Sequence, residues 1–86
     1  MEVNENMRAI IFQVVDNQIK SNDPPETKVT FKRLLDLGYS KFEVKQLIGQ
    51  CISVEMFDVM KNQKPFNEKR YVKNLQQLPK EPFDEE

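Results

Sequence analysis

Two acidic residues, Glu55 and Asp58, lie three positions apart within the largely apolar segment from Val44 to Met60. At about 100° per residue, an α-helix would place both carboxylates inside its apolar arc rather than on a polar face. An ionised carboxylate is unfavourable in such surroundings unless it is paired or hydrogen-bonded. The two acids therefore belong either to a buried polar network or, with a further carboxylate, to a site for a divalent cation or for acid–base chemistry.

Three arginines stand at positions from which they could pair with these acids. Arg8 and Arg33 lie close to the apolar faces of two predicted helices, and Arg70 lies in the first turns of a third. A guanidinium on a long stem can lie along apolar surface and still reach a carboxylate. We therefore predict a buried polar network drawn from Glu55, Asp58, Arg8, Arg33 and Arg70, with a tyrosine hydroxyl as a further partner for Glu55.

The alternative for the two acids is a divalent-metal-dependent activity that uses Glu55 and Asp58. Carboxylate metal sites in the core of ferritin-type bundles also need histidines at a fixed spacing from glutamates. The chain has no histidine and one cysteine, Cys51, which excludes an intramolecular disulfide, a histidine general base and zinc sites built from several Cys and His. We therefore predict no metal and no other cofactor, and interpret Cys51 as a buried packing residue.

Length and composition describe one small domain. The chain has 86 residues, a formal net charge of -1 and 31% charged residues, with both signs interspersed. Its N-terminal residues MEVNENMRA lack a basic region followed by an apolar one, and no window approaches the roughly 18 apolar residues of a membrane span. These features favour a cytoplasmic protein without membrane association.

The acids must be positioned by a long central helix, which we predict at about residues 40–62. Ser40 and Glu43 have the spacing of a capping box, and Gly38 can end the preceding helix in the left-handed conformation. No proline interrupts the segment before Pro65. Because this helix is apolar around well over half of its circumference, we expect other helices to cover it on several sides.

Three further helices are predicted from apolar residues at helical spacing and from capping residues. Together the four predicted helices cover about residues 4–20, 26–37, 40–62 and 67–78. The fold class is therefore all-α, a compact bundle of about four helices around a long central helix. Residues 1–79 form a single helical domain in this prediction, and residues 80–86 form an acidic tail that is extended or disordered, with Phe83 as its one anchor.

The central helix carries more apolar surface than three flanking helices are expected to cover. Val54, Met56, Phe57 and Met60 are the candidate interface, because exposed Met and Phe favour contact with a protein partner or with a second copy of the chain. This pattern favours a small protein-interaction or regulatory module over an enzyme. Its partner is either another protein or a second copy of the chain, which would make it a homo-oligomer.

A nucleic-acid-binding protein is a further alternative, since two predicted helices flank the Gly38 turn in a helix-turn-helix-like arrangement. The basic residues near this turn are Lys28, Lys32, Arg33, Lys41 and Lys45. A helix that reads the major groove normally presents a basic, solvated face, whereas the second helix here is mostly apolar. Nucleic acid is therefore an unlikely partner in this interpretation.

Four segments of the sequence carry a resemblance. They are D-P-P-E-T at 23–27, L-x-x-L-G-Y-S at 34–40, V-E-M-F-D-V-M at 54–60 and P-F-N-E-K-R-Y-V-K-N-L-Q-Q-L-P at 65–79. Together they resemble a group of small, uncharacterised bacterial all-helical proteins. The resemblance covers most of the chain past residue 22, and it implies a bacterial cytosolic protein without indicating an activity.

Overall fold

The long helix predicted around the two acids is present in the computed structural model, which describes residues 5–80. It is the third of four α-helices: α1 (Glu5–Ser21), α2 (Pro25–Asp36), α3 (Lys41–Asn62) and α4 (Glu68–Gln77). No β-strand occurs within the described residues. The predicted all-α bundle of four helices is confirmed. Apart from Lys80, the predicted acidic tail lies outside the described residues.

Local sequence explains where α3 begins and ends. The Ser40 hydroxyl accepts a hydrogen bond from the Glu43 N–H (3.1 Å), and the Glu43 carboxylate accepts one from the Ser40 N–H (2.9 Å). Gly38, with φ at 107°, follows the C-cap of α2 and lies in the connection to α3 in a conformation that favours glycine. At the other end, Gln63 adopts the left-handed conformation and its N–H donates to the Asp58 carbonyl.

The hydrophobic core lies where α2 and α3 meet the other two helices. Both α2 and α3 pack against each of the remaining helices, whereas α1 and α4 are not packed side by side and are joined by a hydrogen bond between the Tyr71 and Gln18 side chains. The long helix α3 is central as predicted, and α2 also packs against every other helix. The buried apolar residues are Ile11, Val15, Leu34, Val44, Ile48, Cys51, Ile52, Tyr71, Leu75 and Leu78.

The helices α1 and α3 run antiparallel and approach closely at a glycine. Ile11 lies against Gly49, and one turn along, Asp16 and Lys45 form a salt bridge of 2.7 Å. A Cβ atom at Gly49 would lie 3.0 Å from the Ile11 Cγ2 atom. Because glycine has no Cβ atom, the backbone of α3 can approach Ile11 on α1 closely at this position.

The start of α2 has no side-chain cap. Its N-cap is Pro24, and Asp23, a residue type that commonly caps helices, lies one position before it. With Pro25 at the first helical position, where the missing N–H costs no hydrogen bond, Asp23 lies one residue too early to cap. None of the helices within residues 5–80 combines the length and the apolar character needed to cross a bilayer.

Candidate functional site

Glu55 lies at the centre of a buried polar cluster between α3 and α4. Its side chain is 0% exposed. One carboxylate oxygen, Oε2, lies 2.6 Å from the Arg70 Nε atom. The other, Oε1, accepts hydrogen bonds from Arg70 Nη2 (3.0 Å) and from the Asn67 backbone N–H (2.9 Å). The carboxylate that the sequence places on an apolar face is thus fully hydrogen-bonded by α4 and its capping residue.

Asp58 joins the same cluster one turn further along α3. Its Oδ2 atom accepts a hydrogen bond from Arg70 Nη2 (2.9 Å), and its Oδ1 atom accepts one from the Asn62 amide (2.7 Å). Hydrogen bonds from Asn62 and then from Arg70 lower the pKa of Asp58 below its ordinary value of 3.8. The hydrogen bond to Glu55 is the main reason that the pKa of Arg70 is raised. One guanidinium is therefore shared by two carboxylates.

The cluster also completes the N-terminal cap of α4. The Asn67 side chain is the N-cap and accepts a hydrogen bond from the Arg70 N–H (3.0 Å). In a capping box, the third helical residue returns a carboxylate to the N–H of the N-cap residue. In α4 that third residue is Arg70, and Glu55 from α3 supplies the carboxylate to the Asn67 N–H instead. Glu55 thus performs the role of a capping-box glutamate from a neighbouring helix.

Arg33 was predicted in this network, and the structure places it elsewhere. Its guanidinium donates to the Leu78 carbonyl (2.9 Å) and to the Leu75 carbonyl (3.0 Å), at the C-terminal end of α4. A cation is favourable at that end because the last carbonyls of a helix carry partial negative charge. Glu55 and Arg33 therefore stabilise opposite ends of the same short helix.

Arg8 was also predicted in the network and is likewise absent from it. It is exposed on α1 and lines a groove between α1 and α3 of about 390 Å³. This groove lies on the side of α3 that faces α1, whereas Glu55 bonds to Arg70 on the side of α3 that faces α4. The helical wheel correctly placed Arg8 at the edge of an apolar face but carried no information about which helix that face meets.

A second buried network was not predicted from the sequence. The Tyr71 hydroxyl and the Thr27 hydroxyl both donate to the Gln18 side-chain oxygen, at 2.6 Å and 2.7 Å. Tyr71 and Thr27 are fully buried, and burial raises the pKa of Tyr71. The sequence did contain an indication, because a tyrosine on an apolar helix face needs a partner for its hydroxyl. This network joins α1, α2 and α4 as the first cluster joins α3 and α4.

The arrangement of the first cluster does not favour a metal ion. A divalent cation bound by Glu55 and Asp58 would have to occupy the space taken by the Arg70 guanidinium, which already bonds to both carboxylates. Within residues 5–80, no group of three His, Cys, Asp or Glu side chains is placed to hold a metal. Cys51 is buried, and desolvation raises the pKa of its thiol to about 12.

The chain matches no protein-family model, no curated protein and no solved structure. Any assignment of function therefore depends on the geometry of the described residues.

The structure separates the four predicted interface residues. Met60 is 64% exposed, whereas Val54, Met56 and Phe57 are half-buried, and Met56 packs against the core. The four predicted side chains are therefore not equally available to a partner, and Met60 is the most exposed of them. Apolar side chains are also exposed further along the chain at Val59 and Phe66, and elsewhere among the described residues at Ile10, Val29, Leu37 and Phe42.

We refer to the region around the C-terminal end of α3 and the connection to α4 as the α3–α4 surface. It consists of three exposed apolar and three exposed basic residues: Val59, Met60, Phe66, Lys61, Lys64 and Lys69. Val59 and Phe66 are 40% and 43% exposed, although Phe66 packs edge-on against the Tyr71 ring at a centroid distance of 5.4 Å. Neither Val59 nor Phe66 belongs to the predicted interface, because Val59 lies in the apolar segment that the other helices were expected to cover and the connection has no helical periodicity to interpret.

Proposed function

We propose that the chain is a small bacterial, cytoplasmic protein-interaction module rather than an enzyme, and that its partner binds the α3–α4 surface. The observation that supports this most strongly is the exposed Met60 near the C-terminal end of α3, together with the exposed Val59 beside it in sequence and the exposed Phe66 in the connection to α4. Exposed Met and aromatic side chains rimmed by polar groups are typical of protein-binding surfaces.

The buried cluster holds this surface in one conformation. Glu55 and Asp58 fix the end of α3 to the start of α4 through Arg70, and Glu55 also bonds to the Asn67 N–H. The short connection from Gln63 to Phe66 is therefore anchored at both of its ends. A preorganised surface loses little conformational freedom on binding, which favours affinity.

The cluster also determines the charge that the surface presents. Its two acids are buried and bonded to Arg70, so the exposed charges in this region come mainly from lysines. Among residues 59–69, the exposed charged side chains are Lys61, Lys64 and Lys69 against Glu68 alone. The partner favoured by this surface is a protein segment that combines apolar and acidic side chains.

Binding of nucleic acid through the α2–α3 turn receives less support. Of the basic residues near that turn, Arg33 bonds to carbonyls of α4 and Lys45 pairs with Asp16. The face of α3 that follows the turn is buried at Val44, Ile48 and Cys51. A groove-reading helix would need this face to be free and basic.

Site-specific photo-crosslinking in the native cell tests the proposal. A photoreactive phenylalanine analogue replaces Met60 in one variant and the exposed α1 residue Gln13 in a matched control, and crosslinked proteins are identified by mass spectrometry. We expect a defined protein adduct from position 60 that is absent from position 13. The same adducts from both positions, or none from position 60, would refute the proposal.

A further inference from the structure

We infer that the groove between α1 and α3 binds a small carboxylic acid with an apolar body, in its ionised form. This inference is independent of the proposed function, because the groove shares no residue with the α3–α4 surface. The groove has a volume of about 390 Å³, which lies within the range of small-molecule sites in proteins. Its chemistry follows from an apolar part, a set of polar side chains and one cation.

The apolar part of the groove lies where α1 and α3 approach each other closely. Ile11 lies against Gly49, and Phe12 and Leu47 line the same groove. Phe12 is half-buried, and its ring packs edge-on against the Phe42 ring at a centroid distance of 5.7 Å. A ligand in this groove covers apolar carbon atoms, and an apolar body on the ligand makes that burial favourable.

Polar side chains in the same groove have unused hydrogen-bonding capacity. Gln46, Gln50 and Ser53 follow one another at spacings of four and three residues, so they share one face of α3. None of these three side chains forms a hydrogen bond with another described residue, and the same is true of Arg8 on α1. The groove therefore offers amide, hydroxyl and guanidinium donors to the oxygen atoms of a ligand.

Arg8 is the group that favours an anion. Of the three arginines in the chain, Arg33 already donates to two carbonyls of α4, and Arg70 is already bonded to two carboxylates. Arg8 forms no ion pair with any described residue. A guanidinium matches the planar geometry of a carboxylate with two parallel hydrogen bonds, so Arg8 can bind the carboxylate of a ligand in the same manner.

Glu43 is an acid in the same groove, and it leaves Arg8 free for a ligand. Its carboxylate accepts the Ser40 N–H in the capping box of α3 (2.9 Å). Because α1 and α3 are antiparallel, the backbone of Arg8, three residues before Ile11, lies towards the C-terminal end of α3 from Gly49. Glu43 lies on the N-terminal side of that glycine. The groove thus has a positive and a negative end, and the ligand carboxylate belongs at the positive end.

The charge of the groove also limits the ligand to one negative charge. The groove contains one arginine and no lysine, which matches a monocarboxylate better than a phosphate ester with a charge near -2.

Two other depressions of the described surface lack this combination of groups. The one beside Val29 on α2 contains Arg33, whose guanidinium is already bonded to α4. The one on the outer face of α4 combines two lysines with Glu68 and has Val72 as its single apolar residue. An unpaired arginine next to several apolar side chains therefore distinguishes the groove between α1 and α3.

Two-dimensional NMR of the isotope-labelled full-length protein at neutral pH tests the inference with hexanoate, hexanol and acetate. Hexanoate has both an ionised carboxylate and an apolar chain, whereas hexanol keeps the chain without the charge and acetate keeps the charge with one methyl group. We expect hexanoate to shift amide signals of α1 around Ile11 and of α3 between Gln46 and Ser53, with a dissociation constant of about 1 mM. Hexanol and acetate should each bind at least about tenfold more weakly.

Variants of Arg8 separate the effect of its charge from that of its apolar stem. Arg8→Met should weaken hexanoate binding about tenfold or more and leave hexanol binding within about twofold of the wild type. Arg8→Lys should recover part of the lost affinity, because a positive charge remains without the guanidinium fork. Lys20→Met removes one exposed positive charge from the other end of α1, and as the matched control it should change hexanoate binding less than about twofold.

Ser53→Leu tests the shape of the groove, because it places a larger apolar side chain among the lining residues. It should weaken the binding of hexanoate and of hexanol alike. Circular dichroism verifies that every variant keeps its helices.

The inference is overturned if hexanoate gives no saturable shifts up to about 50 mM, or if the shifted amides lie outside the groove. Equal binding of hexanoate and hexanol by the wild type would also overturn it, because the groove would then not select an anion. The same conclusion follows if Arg8→Met and Lys20→Met weaken hexanoate binding equally. None of these outcomes bears on photo-crosslinking through position 60, so the proposed function is tested separately.

Discussion

The Arg70 guanidinium binds the Glu55 carboxylate through two hydrogen bonds, of 2.6 Å and 3.0 Å, at a point where the Glu55 side chain is fully buried. The same carboxylate accepts the Asn67 N–H at the start of α4. One acid on α3 therefore neutralises a buried cation and completes the cap of another helix. Its removal affects both the pairing of charges and the docking of α4.

Glu55→Gln should lower the free energy of unfolding by about 1.5–3 kcal/mol, because it removes charged hydrogen bonds from the buried Arg70 guanidinium and leaves Asp58 as its carboxylate partner. Urea denaturation followed by circular dichroism measures this loss. Glu43→Gln, which alters an exposed capping box, is the matched control and should cost about 1 kcal/mol or less. Equal losses for the two variants would contradict a special role for the buried carboxylate.

The same variant tests the metal alternative. Because Arg70 fills the space between the acids, Mg²⁺ or Mn²⁺ should not raise the melting temperature of either the wild type or Glu55→Gln. Isothermal titration calorimetry provides an independent measurement. Saturable binding of either ion that disappears in Glu55→Gln would show that the cluster is a metal site.

Local features of the fold were predictable from the sequence, whereas the partners of side chains across helices were not. The capping box of Ser40 and Glu43 and the cap at Asn67 involve residues three apart, so sequence spacing alone identifies them. The need of Glu55 for a partner followed equally from its place on an apolar face. Choosing Arg70 over Arg8 required knowledge of which helices touch, and helical periodicity contains no such information.

Two other relationships had no clear counterpart in the sequence for the same reason. The close approach of Gly49 to Ile11 depends on where α1 crosses α3. The bond between Tyr71 and Gln18 joins residues 53 positions apart. In each case the residue type suggested that something special was needed, a small side chain or a hydroxyl partner, but the tertiary packing decided what met it.

Asp58 should make stability depend on pH in the acidic range. Its pKa is lowered in the folded protein, so the stabilisation is complete above the unfolded value of about 3.8 and is lost as the pH falls through the lower folded value. Asp58→Asn should therefore reduce the acid-induced loss of stability below about pH 4, when measured by urea denaturation at each pH. Asp36→Asn, an exposed site at the end of α2, should leave that dependence unchanged. If the stability of Asp58→Asn fell with pH as steeply as that of the wild type, Asp58 would not be the source of this pH dependence.

Cys51 should be unreactive in the native state. Burial raises the pKa of its thiol from 9.0 to about 12, so few molecules carry the thiolate at neutral pH. Its reaction with a disulfide reagent such as dithionitrobenzoate at pH 8 should proceed only as fast as the protein opens, and should accelerate in urea in parallel with unfolding. Rapid reaction in the absence of denaturant would contradict the burial of this residue.

The same shift has a consequence at alkaline pH. Because the folded pKa is raised, the contribution of Cys51 is fully present below about pH 9 and is lost as the pH rises towards 12. Cys51→Ala should flatten the fall in stability over this range. Tyr71, whose pKa is also raised by burial, should account for part of the slope that remains, and adding Tyr71→Phe should reduce it further. An unchanged slope in both variants would argue against these assignments.

Gly49→Ala should destabilise the protein, although alanine is normally the better helix former by about 1 kcal/mol. The new Cβ atom would lie 3.0 Å from Ile11 Cγ2, and Ile11 is held in the core with 3% exposure. We expect a net loss of about 1–3 kcal/mol from overpacking. Ile11→Leu, which removes the branching methyl group, should recover part of it in the double variant. A higher free energy of unfolding in Gly49→Ala than in the wild type would show that α1 and α3 can move apart at little cost.

Arg33 should be needed for the order of the C-terminal end of α4 rather than for the buried cluster. Its two hydrogen bonds reach the Leu75 and Leu78 carbonyls from α2, and both bonds require the planar fork of a guanidinium. Arg33→Met keeps the apolar stem, removes the charge and should cost about 1–2 kcal/mol, whereas Arg33→Lys should give an intermediate loss because an ammonium holds two separated carbonyls less well. Hydrogen exchange locates the effect: amides near Gln77 should exchange faster in Arg33→Met, while those next to Glu55 keep their wild-type protection. Loss of the two terminal bonds alone should leave the α3–α4 cluster intact. Faster exchange around Glu55 as well would therefore contradict a role for Arg33 that is confined to the C-terminal end of α4.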